Sequence, residues 1–300
     1  MDQPIIECVP NFSEGRSATI VTGIAEAIAS VARVAILNQT SDWDHNRSVF
    51  TFAGAPDAVA EAAFRAIERA VSLIDLNRHA GAHPRIGAAD VVPLVPVSGV
   101  SLEFCAQLAA QLGERVWREL HVPAYLYEAA ARRPDRSNLA NIRRGRFEKL
   151  REEVVHNPAR LPDFGEAALH PTAGACVIGA RRFLIAFNIN LATADVDIAR
   201  KIARKIRASS GGLPAVKALG LYLESRGLAQ VSTNLTNFEL TPLCAIVEAV
   251  RAEAERYGAS IQSTELIGLI PRKAIETAGD CELNITAEQV LENRLDSLLR

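Results

Sequence analysis

The feature that most constrains the fold is an order of predicted elements that occurs twice along the chain. Hydrophobic alternation and helical spacing give β-α-β-β-α-β in the first half, with strands over 4–9, 33–40, 47–53 and 91–97 and helices around 20–28 and 56–74. The second half repeats the order, with strands over 182–191, 216–223, 228–235 and 260–270 and helices over 194–207 and 242–257. This order favours an α+β protein of two tandem ferredoxin-like units over a doubly wound sheet.

The connection between the halves and the last helix carry more local signals. Residues 100–175 are predicted to hold a helix over 102–113 and a short strand over 124–127. Thr241 is expected to cap the last helix, with Pro242 in its first position and Gly258 as its stop. We place the boundary between two subdomains, 1–178 and 179–300, just before the first strand of the second half.

Charge and cysteine content exclude several classes of protein. A net charge of -2 argues against a protein that binds nucleic acid by neutralising phosphates. Five scattered cysteines without a CxxC pair indicate a reduced, cytoplasmic protein. No signal peptide is expected, and the most apolar stretch, 175–191, is interrupted by Arg181 and Arg182, so no membrane span is expected either.

A histidine-containing loop, which we call the His loop and define as residues 78–87, precedes strand 91–97. Gly81 and Gly87 permit backbone conformations closed to other residues, and Pro84 keeps His83 out of helical geometry. Imidazoles on such a loop can move protons near neutral pH. The alternative is structural, with His79 capping the preceding helix and His83 packed in a turn.

A metal site is a further alternative for the same loop. It would combine the side chains His45, His79, His83 and Asp90. The only tight spacing among them is one HxxxH, and this is interrupted by glycine and proline rather than held on a helix.

Both predicted sheets carry polar residues on the face opposite their apolar side chains. In the second half these residues are Arg182, Asn188, Asn190, Gln230, Ser232 and Asn234. In the first half they are Glu7, Asn11, Arg47 and Thr51. Brought together, two such faces form a polar cleft between the halves with the His loop at its edge. The alternative is a solvated sheet face, which is common in antiparallel sheets.

The segment 132–151 is rich in arginine. It contains eight basic residues against Asp135 and Glu148. A solvated helical face is one interpretation, and an electropositive rim that attracts a multiply anionic ligand is the other.

Five blocks of the sequence resemble the glutamate formiminotransferase family of histidine degradation. They are ECVPNFSEG (7–15), NRSVFT (46–51), RHAGAHPRIGAA (78–89), GARRFLIAFNINL (179–191) and LAQVSTNL (228–235). The resemblance runs from the first strand to about Pro271, with the blocks in the family's order. Together they outweigh the structural interpretations of the single motifs.

The resemblance implies a fold, a reaction and partners. It implies two ferredoxin-like subdomains with a folate-binding cleft between them, a cytoplasmic homodimer, and transfer of the formimino group from N-formimino-L-glutamate to N5 of tetrahydrofolate. Tetrahydrofolate is then a co-substrate in one-carbon metabolism. Vertebrate members continue into a cyclodeaminase domain, so this stand-alone form implies a separate deaminase. No metal or nicotinamide is expected, because no bond in this reaction requires a Lewis acid or a hydride.

The resemblance also assigns residues. Its catalytic histidine falls on His83, and its folate-contacting segment aligns with 165–174, including Gly165, Pro171 and Gly174. Ala173 stands where vertebrate members carry tryptophan, which implies that a stacking contact to the folate is absent.

On this basis the chemistry can be written residue by residue. We expect His83 to accept the N5 proton and to deliver it to the departing glutamate nitrogen. The side chains expected to contact the amino-acid substrate are Arg47, Arg78, His79, Arg85, Asn11 and Asn46. Those expected to contact the folate, besides the 165–174 segment, are Asn188, Asn190, Gln230, Ser232 and Asn234.

Three competing functions stay open at the level of the sequence. A folate enzyme of related specificity would move a formyl group or hydrolyse the amidine. A ferredoxin-like RNA-binding module is disfavoured by the scarcity of aromatic residues, which make up 5% of the chain. A metallohydrolase would be built on His79 and His83.

Overall fold

The computed structural model of the chain describes residues 3–43, 45–81, 84–224 and 226–298, with side chains to residue 296. The described chain divides into two compact units, which meet in sequence between Arg181 and Arg182. We call them unit 1 and unit 2. Each unit has its own sheet and its own hydrophobic core. The α+β class is confirmed.

Unit 1 contains the predicted β-α-β-β-α-β order and an extension of it. Its elements are β1 Ile5–Cys8, β2 Asn11–Phe12, α1 Ala18–Ala29, β3 Val34–Asp42, β4 Arg47–Gly54, α2 Pro56–Leu73, β5 Ala89–Ser98, α3 Leu102–Leu120, β6 Ala124–Glu128, α4 Leu139–Ile142, α5 Arg146–Glu153 and β7 Cys176–Ala180. Helices begin where the sequence offers caps or proline. Ser17 accepts from the Ile20 amide at 3.4 Å, and Pro56 occupies the first turn of α2.

The sheet of unit 1 combines antiparallel and parallel pairing. β1 and β2 both lie between β4 and β5, and β3 pairs with the outer side of β4, all in antiparallel orientation. β7 then adds to β5, and β6 to β7, in parallel orientation. β7 was not predicted as a strand, because its residues are buried on both faces and show no alternation. The next strand begins at Ile185 rather than at residue 182.

Two cores cover the sheet of unit 1. Side chains such as Phe50, Phe52 and Ile178 lie in the core formed with α1, α2 and α3. On the opposite face, Val177 and Tyr125 pack in a second cluster that includes residues of α4 and α5. The parallel part of the sheet is therefore buried on both faces, as parallel strands generally are.

Unit 2 has the predicted order of elements. They are β8 Ile185–Leu191, α6 Val196–Ile206, β9 Val216–Leu223, β10 Leu228–Leu235, α7 Leu243–Arg256, β11 Ile261–Ile267, α8 Arg272–Glu276 and α9 Leu291–Leu298. The sheet is antiparallel in the order β11-β8-β10-β9. Phe187, Ile189 and Val231 are buried in its core with residues of α6 and α7. The polar side chains between them in sequence therefore point to the other face.

Two local predictions were wrong. Thr241 does not cap the last helix, because its hydroxyl donates to the Pro214 carbonyl at 2.6 Å and Pro242 takes the N-cap position. The helix predicted over 102–113 continues to Leu120. Gly113 lies inside the helix, where a Cβ would come within 3.2 Å of the Phe164 ring.

Part of the basic stretch is built into ion pairs. Arg133 pairs with Asp135 at 3.1 Å, and Arg136 pairs with Asp163 at 2.5 Å with both side chains buried. Arg143 pairs with buried Asp90. These charges stabilise the segment that covers the second face of the sheet, so neither a solvated face nor an electropositive rim describes the stretch as a whole.

The expectation that every cysteine is reduced was wrong for one pair. Cys244, near the start of α7, is bonded to Cys281, with a Cα–Cα distance of 5.7 Å. The other three, Cys8, Cys105 and Cys176, are free and buried. Burial raises the pKa of the Cys105 thiol to about 11, so it is poorly reactive.

The lengths of the helices also bear on membrane insertion. Within the part of the chain that the structure describes, no helix combines the length and the apolar character needed to cross a bilayer.

The disulfide predicts a redox-dependent stability. It closes a loop of sequence separation 37, and such loops contribute about 3–4 kcal/mol through the entropy of the unfolded chain. We expect Cys281→Ser to lower the free energy of unfolding by about 2–4 kcal/mol without reductant. In dithiothreitol the wild type and the variant should unfold together. Equal stability of the two proteins under oxidising conditions would contradict the bond.

Candidate active site

The His loop enters and leaves through residues that the structure describes. Ala82 and His83 lie outside the described residues. His83 is the predicted catalytic residue. α2 ends at Leu73, well before His79, so His79 does not cap that helix. The site is therefore built here from the residues that flank His83.

Asn46 joins three segments of unit 1. It follows β3 in a turn, with the left-handed φ of 48° that asparagine tolerates. Its Oδ1 accepts from the Gly15 amide at 2.9 Å, and its Nδ2 donates to the Ala80 carbonyl at 3.2 Å. The close contact continues at Gly81, where a Cβ would lie 2.3 Å from the His45 carbonyl oxygen. Asn46 is buried, and both ends of its amide hold the loop rather than face solvent.

His79 is held as a neutral imidazole. Its Nδ1 accepts from Nε of Arg85 at 2.8 Å, and its Nε2 lies 2.9 Å from the Asn46 carbonyl oxygen. A guanidinium can only donate and a carbonyl can only accept, so the ring proton is on Nε2. Burial lowers the pKa of His79, and the charge of Arg85 lowers it further.

Arg85 is a buried hub of the loop. Its side chain is 8% exposed and makes a two-point contact with Glu148 of α5, at 2.8 and 3.2 Å. It also donates to the carbonyls of His79, at 3.2 Å, and Leu76, at 3.4 Å. The predicted role of Arg85 in holding a substrate carboxylate does not fit these contacts, because Glu148 and the loop already occupy the guanidinium.

Two further arginines surround one carboxylate. Asp90 accepts from the Ile86 amide at 2.7 Å and pairs with Arg143. Arg47, at the start of β4, is half-buried. Burial lowers its pKa, and the neighbouring Arg143 charge lowers it further. The carboxylate of Asp42, which is paired with Arg47 across β3 and β4, also lies near that guanidinium, so the two arginines are accompanied by two carboxylates.

The other predicted substrate contacts are more peripheral. Arg78 is 89% exposed, with its Nε 3.7 Å from an Asp75 carboxylate oxygen. Asn11 is half-buried, and its amide donates to the Val9 carbonyl at 3.1 Å. The structure brings neither side chain into the contacts made by His79 and Arg85.

The segment 165–174 is hydrogen-bonded to the residues on either side of the His loop. The Leu76 amide donates to the Thr172 carbonyl at 2.8 Å, and the Ala88 amide donates to the Ala173 carbonyl at 2.9 Å. Gly174, at a φ of 70°, lies against the loop so closely that a Cβ would stand 2.2 Å from the Ile86 carbonyl oxygen. Sequence blocks about ninety residues apart thus lie side by side.

The predicted folate contacts in this segment differ in their exposure to solvent. Gly165 and Pro171 are exposed, whereas Gly174 is buried. Ala173 is 1% exposed and belongs to the hydrophobic core. A tryptophan side chain does not fit at residue 173 in this packing, so the position does not by itself mark a missing stacking contact.

On the polar face of unit 2, two side-chain amides and one hydroxyl form a hydrogen-bonded series across three strands. Nε2 of Gln230 donates to Oδ1 of Asn190 at 2.9 Å, and Nδ2 of Asn190 donates to the Ser263 hydroxyl at 3.0 Å. Asn190 is 2% and Gln230 is 4% exposed, so the solvated-face interpretation is wrong for this pair. Asn188 and Ser232 face each other in the next row, and Asn234 is exposed.

The metal alternative can be tested on its described members. His45 contacts the Asp42 carboxylate at 2.9 Å, His79 has both ring nitrogens in hydrogen bonds, and Asp90 pairs with Arg143. Over residues 3–43, 45–81, 84–224 and 226–298, no three side chains of His, Cys, Asp or Glu form a group that could hold a metal ion.

Sequence reasoning missed three residues of these networks. Glu148 and Arg143 were counted only as members of a charged stretch, and Ser263 was not singled out at all. No local signal identifies them, since their partners lie 63, 53 and 73 residues away. Only the folded chain brings them together.

Comparison with known proteins gives matches over both units. The model of the formiminotransferase domain, N-terminal subdomain, matches residues 5–181, and that of the formiminotransferase domain matches residues 186–296. The two matches therefore cover nearly the whole described chain.

Relatives agree with the family models. A glutamate formimidoyltransferase of Streptococcus pyogenes serotype M1 is 43% identical, covering 97% of this chain and 98% of its own. One of Thermoplasma acidophilum is 48% identical, covering 90% and 89%. A formimidoyltransferase-cyclodeaminase of Mus musculus is 43% identical over 90% of this chain but only 51% of its own length. The chain belongs to the formiminotransferase family.

Proposed function

We propose that this chain is a glutamate formimidoyltransferase, which transfers the formimino group of N-formimino-L-glutamate to N5 of tetrahydrofolate. The observation that carries the proposal is identity of 43–48% to enzymes of that name over nearly their whole length. The products are 5-formiminotetrahydrofolate and L-glutamate. Tetrahydrofolate is a co-substrate, not a resident cofactor.

The reaction exchanges one C–N bond for another. N5 of the folate attacks the amidine carbon and forms a tetrahedral intermediate, from which the bond to the glutamate nitrogen breaks. The proton lost by N5 must reach the departing nitrogen, and one group of near-neutral pKa can serve both transfers. We assign this group to His83, which occupies the position of the family's catalytic histidine.

His79 has a different role in this scheme. Its lone pair is engaged by Arg85 and its proton by Asn46. An imidazole held in this way is a poor base, because protonation of Nδ1 breaks the hydrogen bond from Arg85. His79, Arg85 and Asn46 therefore position the loop, and His83 is its chemically active member.

The amino-acid substrate is anionic, and a guanidinium is the group that binds a carboxylate at two points. Arg47 is the residue that we assign to a substrate carboxylate, with Arg143 beside it as a second source of positive charge. Arg78 is exposed and can add a longer-range attraction. Arg85 is removed from the set of carboxylate-binding residues.

For the folate we propose the polar face of unit 2 that carries Asn188, Asn190, Gln230, Ser232 and Asn234. We call it the amide face. Asn190 and Gln230 are oriented by their mutual hydrogen bond and by Ser263, so their remaining donors and acceptors are fixed in direction. Asn188, Ser232 and Asn234 extend the same face. In unit 1 the exposed residues Gly165 and Pro171 are retained as further folate contacts.

We also propose the fold type of each unit, the oligomeric state and the cellular setting. We regard each unit as ferredoxin-like, since four strands of each follow the order fourth-first-third-second in an antiparallel sheet. A homodimer in the cytoplasm, supplied with folate for histidine degradation, fits the family.

The first prediction concerns His83. We expect His83→Ala to lower kcat by roughly 10²–10⁴ while folate binding changes little, because proton transfer and not binding is lost. Steady-state assays with formiminoglutamate measure kcat, and a separate titration measures the binding of folate. A variant with full turnover would exclude His83 as the proton carrier.

The same assay distinguishes the related specificities. Wild-type enzyme is offered formiminoglutamate, a formyl donor, and formiminoglutamate without folate. Transfer from the first alone supports the proposal. Preference for the formyl donor, or release of glutamate without folate, establishes the alternative.

The second prediction concerns the amide face. We expect Asn188→Leu to raise the KM for tetrahydrofolate by about tenfold, which corresponds to one lost hydrogen bond, with the KM for formiminoglutamate unchanged. Gln111→Leu removes an exposed amide from helix α3, where leucine fits the backbone, and serves as the control. An effect on the amino-acid substrate alone would move the folate away from these amides.

The third prediction concerns His79. Nitrogen NMR should show a neutral ring protonated on Nε2, with a pKa below the ordinary value of about 6.5. Because the folded pKa is lowered, the stability contributed by His79 is complete above the unfolded pKa and is lost as pH falls through the folded one. His79→Gln should weaken that pH dependence. A ring protonated on Nδ1 would contradict the network.

A further inference from the structure

Helix α5 holds the His loop through two consecutive residues. The Phe147 amide donates to the Arg85 carbonyl at 2.8 Å, and the Phe147 ring lies 5.9 Å from the Arg85 guanidinium carbon. Glu148 then takes the two ends of that guanidinium, at 2.8 and 3.2 Å. Both the backbone and the side chain of Arg85 are thus fixed by α5.

Arg85 transmits this contact to the other end of the loop. Its Nε donates to Nδ1 of His79, six residues earlier in the chain, and its terminal nitrogen donates to the His79 carbonyl. One guanidinium therefore ties residue 85 to residue 79, and His83 lies between them in sequence. The direction in which Arg85 points decides where both flanks of His83 are held.

Glu148 and Arg85, the two partners of this ion pair, differ strongly in their exposure to solvent. The Glu148 side chain is 57% exposed, whereas Arg85 is 8% exposed. An ion pair with one well-solvated partner is weaker than a fully buried pair, although its loss leaves the buried Arg85 charge without a carboxylate. Its geometric effect is larger, because a two-point contact between carboxylate and guanidinium fixes the plane of the arginine.

We propose that Glu148 is a positioning residue for turnover, acting through Arg85 and His79 on the loop that carries His83. The inference rests on the proposed role of His83. Glu148 touches neither reacting group in this scheme. It holds the arginine that holds the loop.

The test uses the full chain and the isosteric variant Glu148→Gln. We expect kcat to fall by about 10–100-fold, because small displacements of a catalytic group are costly, with both KM values within about threefold. The Arg85 charge left without a carboxylate lowers Tm, so kcat is compared at a temperature at which both variants are folded. The matched control is Glu152→Gln, which removes an exposed carboxylate from the same helix. Equal kcat values for the two variants would overturn the proposal.

Two further readouts separate positioning from a general weakening of the fold. If Glu148 acts through Arg85, the double variant Arg85→Gln/Glu148→Gln should be no slower than Arg85→Gln alone. The His79 nitrogen signals should also shift in Glu148→Gln and stay unchanged in Glu152→Gln. Losses that multiply in the double variant, or unchanged His79 signals, count against the proposal.

The outcomes also separate this inference from the proposed function. Full turnover of His83→Ala removes the role of His83, whatever Glu148 does. A slow His83→Ala together with a Glu148→Gln variant as fast as its control overturns only the role of Glu148. If Glu148→Gln does not fold, Glu148→Asp is compared with Glu152→Asp by the same criteria.

Discussion

The close backbone approach of Gly87 and Gly174 is the constraint on which unit 1 depends. A Cβ on Gly87 would lie 2.0 Å from the Ala175 carbonyl oxygen, and one on Gly174 would lie 2.2 Å from that of Ile86. No side chain fits in either place without separating the two segments. Their contact fixes where the His loop ends and where β5 and β7 begin to pair. The segment assigned to folate and the loop assigned to catalysis thereby become one structure.

The sequence predicts the elements well where their signals are local. β9 and β10 have the bounds predicted from alternation, and α2 begins at the proline that marks it. β7 was not predicted, because a strand buried on both faces shows no alternation. Only the Arg181 and Arg182 pair separates it from the next apolar run. Local pattern cannot distinguish one long strand from two short ones in that situation.

The candidate site could be located from sequence but not resolved into roles. Glycine, proline and histidine in one block indicate a shaped loop, and the family resemblance selects His83 from it. The unequal roles of His79, Arg85 and Asn46 depend on partners in α5 and in the turn after β3. Such long-range contacts leave no mark in the spacing of residues, and the same is true of the bond between Cys244 and Cys281. In an arginine-rich stretch, composition likewise cannot say which cations are already neutralised.

The double-sided burial of β7 has a consequence for the dynamics of unit 1. Its amides are paired with β5 and β6 and shielded by a core on each face, so they belong to the part of the unit that opens only with global unfolding. β3, at one edge of the sheet, and β6, at the other, each pair with one strand only. Hydrogen exchange therefore proceeds from the two edges inward. The His loop, joined to the start of β5, is attached next to the slowest-exchanging strand.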